Sequence, residues 1–585
     1  MIAAMRRLAC SLLALTPALL ALTPRPAQAC GGTFCDNSPL PMPVDQTGED
    51  ILFIQDGTDI EVHIRIQYTG EAERFAWVLP LQAVPELAVG SEQLFANLSS
   101  ATFPAWTTVR DYECPEEDPN WDSDAGDEGS IKLDAGADTG GPDVVLQQTI
   151  GAFEVVVLQG GTAAEVLDFL TANDYAQNPD AEPILQEYLD EGFLFAAVKL
   201  AAGAEVEEIH PLVFRMASDE PCVPLRLTRI AAEEDMGIRT YFLGNGRWAP
   251  SNYPHVVVNP LAYDWGSNST QNYLAQLALA IDEAGGRAFA TEYAGDSDKV
   301  SRLGLYNPSW NEAAFIGVDP IAAIDLIAEQ QLNTHPLIQS LLLQYIPPPD
   351  GIDATDFWNN IADYADQIDQ NAWDSAAFAA DLSERIIEPG LRAVELLDTW
   401  PTLTRLHTIM SPNEMIEDPT FHMSDLGAMT ANVVVTQAQV MCGGDTIYDV
   451  MLDDQSTPVC QPAGTSYPSF EAMPAALRIE QIPMTGPAQV TTDNTEAILA
   501  SYQSQQAGVE CANAGGTDTT DTTDTTSSSG NDDVADESDG EPTYDLPYDV
   551  SCGCSSDGPD GPNHAPLGLA LGLLVLSLTW PRRRR

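Results

Sequence analysis

Basic residues are scarce in this sequence: 24 lysines and arginines stand against 88 aspartates and glutamates, for a formal net charge of -64. A surface this acidic repels phosphate backbones, so nucleic acid is excluded as a partner. The charge suits a salty medium or divalent cations, and it also serves simple solubility. Hydrophobic residues make up 44% of the chain, which is enough for a sizeable core and excludes a wholly disordered protein.

Signatures of known catalytic and metal sites are absent from the sequence. There is no C-x-x-C pair, H-E-x-x-H helix, G-x-S-x-G turn or P-loop, and the seven histidines are scattered singly. A hydrolase base and its orienting acid would have to come from His407, Asp418 and His422, which lie near one another in the chain. The sequence therefore predicts no catalytic, cofactor-binding or metal-binding residue, and a secreted hydrolase is kept as an alternative.

Calcium is the one cofactor that the acidic composition favours. Counted from Asp124 as the first ligand, Gly129 falls where an EF-hand loop needs its glycine, but Ala135 occupies the position of the bidentate glutamate. No flanking helices are evident in the sequence. A calcium-dependent adhesin is therefore a further alternative, with no metal ligand assigned.

The N-terminus reads as a secretory signal. Arg6 and Arg7 precede an apolar run over 8–22, and small residues lead to a cleavage site between Ala29 and Cys30. The apolar run is short and contains proline, which argues against a retained transmembrane helix. A lipid on Cys30 is the alternative, although the preceding residues depart from the usual lipid box.

The C-terminus carries a second targeting pattern. Cys552 and Cys554 are followed by a polar spacer and by an apolar run over 565–580, which at about 1.5 Å per residue spans roughly 24 Å. The chain then ends in a cluster of arginines, namely Arg582, Arg583, Arg584 and Arg585. Arginines stay on the cytoplasmic side of a membrane, so everything before the span is expected outside it.

This order of cysteine motif, short span and terminal arginines resembles the myxobacterial C-terminal sorting signal called MYXO-CTERM. The resemblance covers 551–585 and implies removal of the span, lipid modification at a cysteine and display at the outer cell surface. A plain C-terminal anchor is the alternative. With a sorting signal or with a plain anchor, the expected partners are the membrane and the export machinery. A sorting signal adds the sorting machinery as a partner. The sequence does not identify a surface ligand.

Cysteine usage fits an exported protein in an oxidising compartment. Sequence alone does not determine how the cysteines pair. Cys30 and Cys35 are candidates for a small loop, in which two glycines supply the tight backbone, and Cys442 and Cys460 are candidates for a second one.

Alternating apolar and polar residues make the first part of the mature chain β-rich. The alternation over 60–68 follows a turn signal at Asp56-Gly57, which predicts a hairpin with one buried and one wet face. His63 lies on the polar face and is expected to be solvated. Further strands are predicted at 75–80, 153–158, 193–200, 210–216, 224–230, 239–243 and 255–258.

Two helices are predicted among these strands, and more follow them. Thr162 and Glu165 form a capping box that opens the first helix, and the second covers 183–189. Beyond about residue 267 the apolar period becomes helical, with a stop at Gly285-Gly286. Later helical patterns cover 320–332, 336–345, 354–370 and 375–400, and strand patterns return at 433–435 and 477–482.

These patterns predict an α+β fold: a β-rich N-terminal part with an inserted helical pair, a mostly helical part, and a small β-containing end. The predicted regions are a signal peptide at 1–29, a β-rich α+β domain at 30–260 with an acidic insertion at 114–143, a mainly helical region at 261–430, a small β-containing region at 431–510, an acidic Thr/Ser/Asp-rich linker at 511–551, and the cysteine motif, transmembrane segment and arginine cluster at 552–585. The insertion and the linker lack the apolar residues that a core needs.

The body resembles a secreted bacterial family, domain of unknown function 2330. The residues that carry the resemblance lie at 29–35, 75–80, 173–175, 195–200, 211–212, 224–227, 403–408 and 415–419. The resemblance covers roughly 30–421, with the acidic insertion as a departure. It implies an exported protein with one coherent fold, and it implies no chemistry.

The sequence thus predicts an exported protein of the cell envelope, held at the outer surface, with a binding or structural role. This prediction rests on the targeting patterns at the two termini, the acidic linker and the lack of catalytic signatures. The hydrolase and the calcium-dependent adhesin are the alternatives.

Overall fold

A computed structural model of the protein describes residues 45–69, 76–113, 143–173, 181–201, 209–218, 220–267, 270–349, 351–353, 356–357, 360–368, 373–428, 433–507, 509 and 511. These residues belong to one compact unit. The predicted signal peptide, residues 114–142 of the insertion, the linker beyond Cys511 and the C-terminal tail lie outside them. Of the helices that are described, none is long and apolar enough to cross a membrane.

A seven-stranded sheet forms the centre of the fold, and it contains the predicted hairpin. β1 (Asp45–Asp56) turns at Gly57, which has a φ of 66°, into β2 (Asp59–Thr69). The other strands come from distant parts of the chain: β4 (Glu86–Val89), β9 (Leu212–Ala217), β10 (Ala232–Gly244), β13 (Ala290–Asp296) and β14 (Thr402–Met410). The order is β13-β14-β10-β1-β2-β9-β4. The predicted β-rich domain (30–260) and the predicted helical region (261–430) therefore both contribute strands to one sheet.

A four-stranded antiparallel sheet covers one face of the larger sheet. It consists of β3 (Ala76–Leu81), β6 (Asp143–Ile150), β7 (Phe153–Gln159) and β8 (Leu194–Leu200), in the order β3-β8-β7-β6. Phe53 and Ile238 of the larger sheet and Trp77 and Val157 of the smaller one are buried in the same cluster. Each large apolar side chain buried in this way contributes about 1.5–3 kcal/mol, so the interface between the sheets is the main source of stability here.

Helices cover the outer faces of both sheets, which gives this part of the body four layers. α2 (Ala163–Ala172) and α3 (Ala181–Asp190) pack on the four-stranded sheet, and the predicted capping box at the start of α2 is confirmed. α1 (Glu92–Thr102) and α9 (Glu388–Thr399) pack on the outer face of the seven-stranded sheet. The predicted α+β class and the inserted helical pair are therefore confirmed.

The polar face of β2 is buried, which corrects the prediction of a wet face with a solvated His63. His63 is 2% exposed, and its Nε2 lies 2.8 Å from Glu61 Oε1. Glu61 also pairs with Arg215 of β9 and with Arg392 of α9, which lies 331 residues further along the chain. Burial raises the pKa of Glu61, but His63 and the arginines outweigh burial and hold the pKa well below its usual range. The alternation of residues within β2 does not indicate that α9, far along the chain, covers this face.

Residues 224–230, predicted as a strand, form the short helix α4 (Leu225–Thr228) instead. Leu225 and Leu227 alternate along the sequence as in a strand, but they enter two different apolar clusters. So short an apolar run does not separate a strand from a helix. The helical turn directs Arg226 towards Asp418, whose carboxylate accepts hydrogen bonds from the Arg226 backbone N–H and Nε.

The predicted helical region has an apolar core of its own. Its elements are a 3₁₀ turn at Glu312–Phe315, α6 (Pro320–Glu329), a 3₁₀ turn at Leu332–Thr334, α7 (Ile338–Tyr345), a 3₁₀ turn at Ile361–Tyr364 and α8 (Ser375–Leu382). A π-helical turn at Ser383–Ile387 continues α8 into α9. The helix predicted over 354–370 lies partly outside the described residues.

The last part of the body is built around two small sheets. One has the order β18-β17-β16-β5, from β5 (Ala105–Tyr112), β16 (Val433–Val440), β17 (Thr446–Leu452) and β18 (Gln455–Gln461). The other contains β12 (His255–Val258), β19 (Ala476–Gln481) and β20 (Gln489–Asp493). α5 (Thr270–Glu283) and α10 (Thr495–Gln506) pack against them, and α5 is followed by the predicted stop, where Gly285 and Gly286 have positive φ. The remaining elements are a ladder of β11 (Arg247–Pro250) with β15 (Phe421–Ser424) and 3₁₀ turns at Pro260–Ala262 and Ser297–Lys299.

The C-terminal cysteines pair differently from the prediction. Cys460 of β18 forms a disulfide with Cys511, which corrects the expected loop between Cys442 and Cys460. Cys442 is also disulfide-bonded, and its partner is not Cys460. The candidates Cys30 and Cys35 lie outside the described residues. Nearness in sequence favoured the shorter loop, whereas the packing of α10 brings the end of the body back to β18: Gln506 Oε1 accepts a 3.0 Å hydrogen bond from the Cys460 N–H.

Peptide mapping of the non-reduced protein is expected to recover Cys460 linked to Cys511, and Cys442 linked to Cys114. The second link follows from strand register: β5 and β16 run parallel with Tyr112 opposite Val440, and Cys114 and Cys442 come two residues later in their chains. Cys114 itself lies outside the described residues. Recovery of a peptide that joins Cys442 to Cys460 would contradict both assignments.

Candidate functional site

A cavity of 380 Å³ opens beside the smaller sheet, where α3, α4 and the chain before β15 meet. Charged and amide side chains dominate its lining: Gln82, Glu187, Glu191, Glu220, Arg226, Asn252, Glu417 and Asp418. Phe193 and Ile416 supply apolar surface, and Cys222 and Thr420 complete the lining. A second, narrow cavity of 40 Å³ shares Gln82, Phe193, Glu220 and Cys222 with the first and is otherwise lined mainly by apolar side chains such as Phe53 and Val62.

Arg226 is the one guanidinium among these lining residues, and it is fully engaged. Its Nη1 and Nη2 donate to the two Glu191 carboxylate oxygens at 2.8 and 2.7 Å, and its Nε donates to Asp418 Oδ2 at 2.9 Å. The guanidinium also lies over the Tyr188 ring, 4.2 Å from the centroid. Hydrogen bonding to Glu191 raises the pKa of Arg226 above its usual range. Arg226 therefore joins α3, α4 and the chain before β15. Its guanidinium has no unoccupied pair of N–H donors with which to bind an anionic ligand.

Asp418 anchors the same network from the other side. Tyr188 donates its hydroxyl hydrogen to Asp418 Oδ2 at 2.8 Å, and the Arg226 backbone N–H donates to Oδ1 at 2.9 Å. Burial raises the pKa of the Asp418 carboxyl from its ordinary value, although Arg226 opposes the shift. The same burial, together with Asp418, raises the pKa of the Tyr188 hydroxyl, which stays protonated as a donor.

Cys222 is a free thiol at the wall of the cavity. Burial and the nearby Asp418 raise its pKa well above the ordinary value of a thiol, despite the opposite effect of Arg226. A thiol needs a lowered pKa to act as a nucleophile at neutral pH. Cys222 is therefore protonated and serves as part of the wall.

Ser251, His422 and Glu220 form a small hydrogen-bonded group at the edge of the cavity. Ser251 Oγ lies 3.0 Å from His422 Nδ1 and 3.1 Å from Glu220 Oε1. In a Ser-His-acid relay the histidine stands between the serine and the acid, which orients the ring. Here the serine stands in the middle, and His422 Nε2 has no hydrogen-bond partner among the described residues. The group lacks the order of contacts that activates a serine.

The histidines and the aspartate considered as hydrolase residues are not brought together as base and orienter. His407 Nδ1 lies 2.8 Å from Glu292 Oε1 in the buried sheet, whereas Asp418 binds Arg226 and Tyr188 at the cavity. His422 contacts Ser251. Nearness in sequence suggested the pairing of His407 with Asp418, but β14 carries His407 into the core before the chain reaches Asp418.

Within the described ranges, no group of three or more His, Cys, Asp or Glu side chains is placed to hold a metal ion. The calcium loop counted from Asp124 lies outside those ranges. The residues assigned to processing and anchoring lie outside them too, namely Ala29, Cys30, Cys552, Cys554 and Arg582 to Arg585.

Sequence reasoning missed most of the cavity. Of its lining residues, Asp418 alone was singled out, and for a different role. Glu187 lies in the last turn of α3 and Glu191 follows directly after the helix, a spacing of four that places both on the same side. No comparable local signal marks Glu220, Arg226 or Asn252, because they meet through the fold.

The comparison with known families concerns the first half of the chain. A family model described as an uncharacterized protein conserved in bacteria (DUF2330) matches residues 24–318. The chain belongs to this family. The DUF2330 match contains Glu191, Arg226 and Asn252 of the cavity, whereas Asp418 comes from beyond it. No curated protein and no solved structure matches the chain.

Proposed function

We propose that this DUF2330 protein is exported, is held at the outer cell surface by its C-terminal tail, and binds a small organic cation in the cavity. The observation that carries the ligand class is the charge of the lining: its five carboxylates outnumber the two guanidiniums beside them, Arg226 and Arg287, which are already bound to Glu191, Asp418 and Glu417. Carboxylates around a partly enclosed site favour positive ligands and repel negative ones.

The chemistry of the walls narrows the ligand further. Phe193 and Ile416 offer apolar surface beside the carboxylates, and the adjoining narrow cavity is also mainly apolar. An aromatic face attracts cations as well as alkyl groups. Asn252 donates to Glu417 Oε1 at 3.1 Å and to the Asp418 carbonyl, so it holds two lining residues in place. A primary ammonium or guanidinium on a short alkyl chain matches this combination.

A binding role fits this geometry better than hydrolysis. The thiol of Cys222 is protonated, and the Ser251 group lacks an acid on its histidine. The Ser251 hydroxyl donates its one hydrogen to Glu220 Oε1, and not to a histidine that an acid orients. The cavity is therefore assigned to recognition.

Isothermal titration of the purified mature protein with agmatine, which carries a guanidinium and an ammonium on one alkyl chain, is expected to show saturable binding that weakens with salt. Glu187→Gln and Glu220→Gln should each weaken binding roughly fivefold, about 1 kcal/mol, because each removes one carboxylate from the cavity. Glu329→Gln is the matched control, since Glu329 is an exposed carboxylate on α6, away from the lining.

The competing ligands decide whether the proposal stands. Glutarate is expected to show no binding, and calcium chloride should not compete with agmatine below millimolar concentration. Binding of glutarate in preference to agmatine would refute the cationic ligand class. Calcium binding that Glu220→Gln abolishes would favour the adhesin alternative instead.

Surface anchoring is proposed from the two ends of the chain. Cys511 is bound to Cys460, so it is not available to pair with Cys552 or Cys554. Two cysteines just before an apolar run have no use in a plain anchor, whereas a sorting signal of the MYXO-CTERM type uses them. The acidic linker between Cys511 and Cys552 would hold the body away from the membrane, since like charges keep such a chain extended.

Mass spectrometry of protein released from the cell surface is expected to place the mature N-terminus at Cys30 and to find no Arg582 to Arg585. Replacing Cys552 and Cys554 by serine should leave export intact and abolish surface display. Surface protein that still carries Arg585 would identify a plain anchor. A diacylglycerol mass on Cys30 would point to lipid attachment at the N-terminus.

A further inference from the structure

The end of the folded body is bound to its interior by the disulfide between Cys460 and Cys511. Cys511 follows α10 and precedes the linker and tail, which run from Ala512 to Arg585. Cys460 is the penultimate residue of β18, which pairs with β17 along its length, from Thr446 opposite Gln461 to Leu452 opposite Gln455. The disulfide therefore connects the point where the tail begins directly to a paired strand.

Within the segment enclosed by this bond, β19 is partly buried, whereas β20 and α10 are weakly packed. All five residues of β20 are exposed, and the strand pairs with β19 alone among the described strands. α10 has a single fully buried side chain, that of Ile498, with Leu499 and Tyr502 packed at the margin of the cluster. Few buried apolar contacts and exposed backbone hydrogen bonds are the marks of a segment that opens at low cost.

We propose that the Cys460–Cys511 disulfide is a mechanical clamp that protects this segment when the tail is pulled. The proposal rests on the proposed C-terminal anchoring, under which any pull between the cell and the body enters the fold at Cys511. With the bond intact, tension passes from Cys511 to Cys460 and on to β18. The residues between the two cysteines, with β19, β20 and α10, lie in a closed loop that carries no tension.

Without the bond, the same pull would act on the end of α10. The helix would detach first, since the contacts that hold it include two side-chain bonds to β18: Tyr502 with the Pro458 carbonyl and Gln506 with the Cys460 N–H. β20 and β19 would follow. The two cysteines are 51 residues apart in sequence and their Cα atoms are 5.9 Å apart. At about 3.5 Å per residue, and after that separation is subtracted, the release adds roughly 170 Å of extended chain.

Single-molecule pulling of the mature chain, held by a handle at each end, tests the clamp. The oxidised wild-type protein is expected to show no early step of roughly 170 Å, and its total extension should be shorter than that of Cys460→Ser/Cys511→Ser by the same length. The double variant should show that step at a lower force than every other unfolding event. Wild-type protein in reductant should show the same early step as the variant.

The double variant in reductant separates this bond from that of Cys442: its early step should be unchanged by the reductant. An early step of this length in oxidised wild-type protein would overturn the clamp, and so would a double variant in which the segment unfolds only together with the sheets. The experiment uses attached handles and is independent of natural anchoring. A tail that proves not to be an anchor would refute the proposed surface anchoring and leave the pulling result unaffected.

Discussion

Replacing Arg405 by methionine is expected to lower the free energy of unfolding by about 3–5 kcal/mol, because it leaves the Glu292 carboxylate buried without its main partner. The two side chains are 1% and 0% exposed, and Arg405 Nε lies 2.5 Å from Glu292 Oε2. Tyr273 and His407 bind the other oxygen, Oε1, at 2.9 and 2.8 Å. Both contacts are to Oε1, so removal of the guanidinium leaves Oε2 without the cation beside it.

Backbone geometry explains why the Glu292 carboxylate points into the sheet core. A register shift between Thr291 and Tyr293 inserts Glu292 as an extra residue in β13, opposite β14. Bulges of this kind re-aim a side chain. Burial alone would raise the pKa of Glu292, but Arg405 and His407 lower it to about 2, so the carboxylate is ionised at all ordinary pH values.

A double-mutant cycle in urea measures the effect of this pair. Glu292→Gln/Arg405→Met should recover much of the stability that Arg405→Met loses, since no unpaired charge then remains in the core. Arg478→Met is the control: Arg478 and Asp453 are also 2.5 Å apart, but at the surface, and the expected loss is below about 1 kcal/mol. Equal losses at the two sites would contradict the assignment of Arg405 to a buried ion pair.

Acid is expected to unfold the protein through its buried histidines. Burial lowers the pKa values of His210 and His335 to about 4, and at His210 the charge of Arg385 is part of that shift. The unfolded chain binds these protons near pH 6.5, so stability is full above that pH and is lost as the pH falls towards 4. Each histidine contributes about 1.4 kcal/mol per pH unit in this window, or roughly 3 kcal/mol in all.

The contacts of both rings fit the neutral form. The backbone N–H of Ala152 donates to His210 Nε2 at 3.0 Å, and His210 Nδ1 donates to the Pro211 carbonyl at 3.0 Å. Leu337 N–H donates to His335 Nδ1 at 3.3 Å. A protonated ring could not accept either bond. Below about pH 4.5, protonation of Glu61 and Glu292 acts in the same direction, since their folded pKa values are lowered.

The free energy of unfolding, measured from pH 8 to pH 4.5, tests the histidine effect. His335→Gln keeps an acceptor for Leu337, and it should reduce the slope by about 1.4 kcal/mol per pH unit between pH 6 and pH 4.5. Thr334→Ala, at the exposed neighbouring position, should leave the slope unchanged. A wild-type slope retained in His335→Gln would show that His335 takes up its proton without unfolding.

The sequence by itself determined several local elements of this protein. The Asp56-Gly57 turn, the capping box of Thr162 and Glu165 and the stop of α5 at Gly285-Gly286 are all where their patterns predict them. In each case the decisive interactions join residues within a few positions of one another, so the pattern contains its own physical cause. The α+β class follows from the sum of such elements.

The tertiary structure alone decided what those elements enclose. Alternation identified two faces of β2, but α9 covers the polar face and turns a solvated His63 into a buried one. Glu292 forms an ion pair with Arg405, which lies 113 residues further along the chain. Cys460 is bonded to Cys511, although Cys442 is nearer in sequence. The cavity assembles Glu191, Arg226 and Asp418 from three segments in the same way. These pairings depend on which surfaces pack together. A pattern that repeats every two or four residues does not determine which distant surfaces those are.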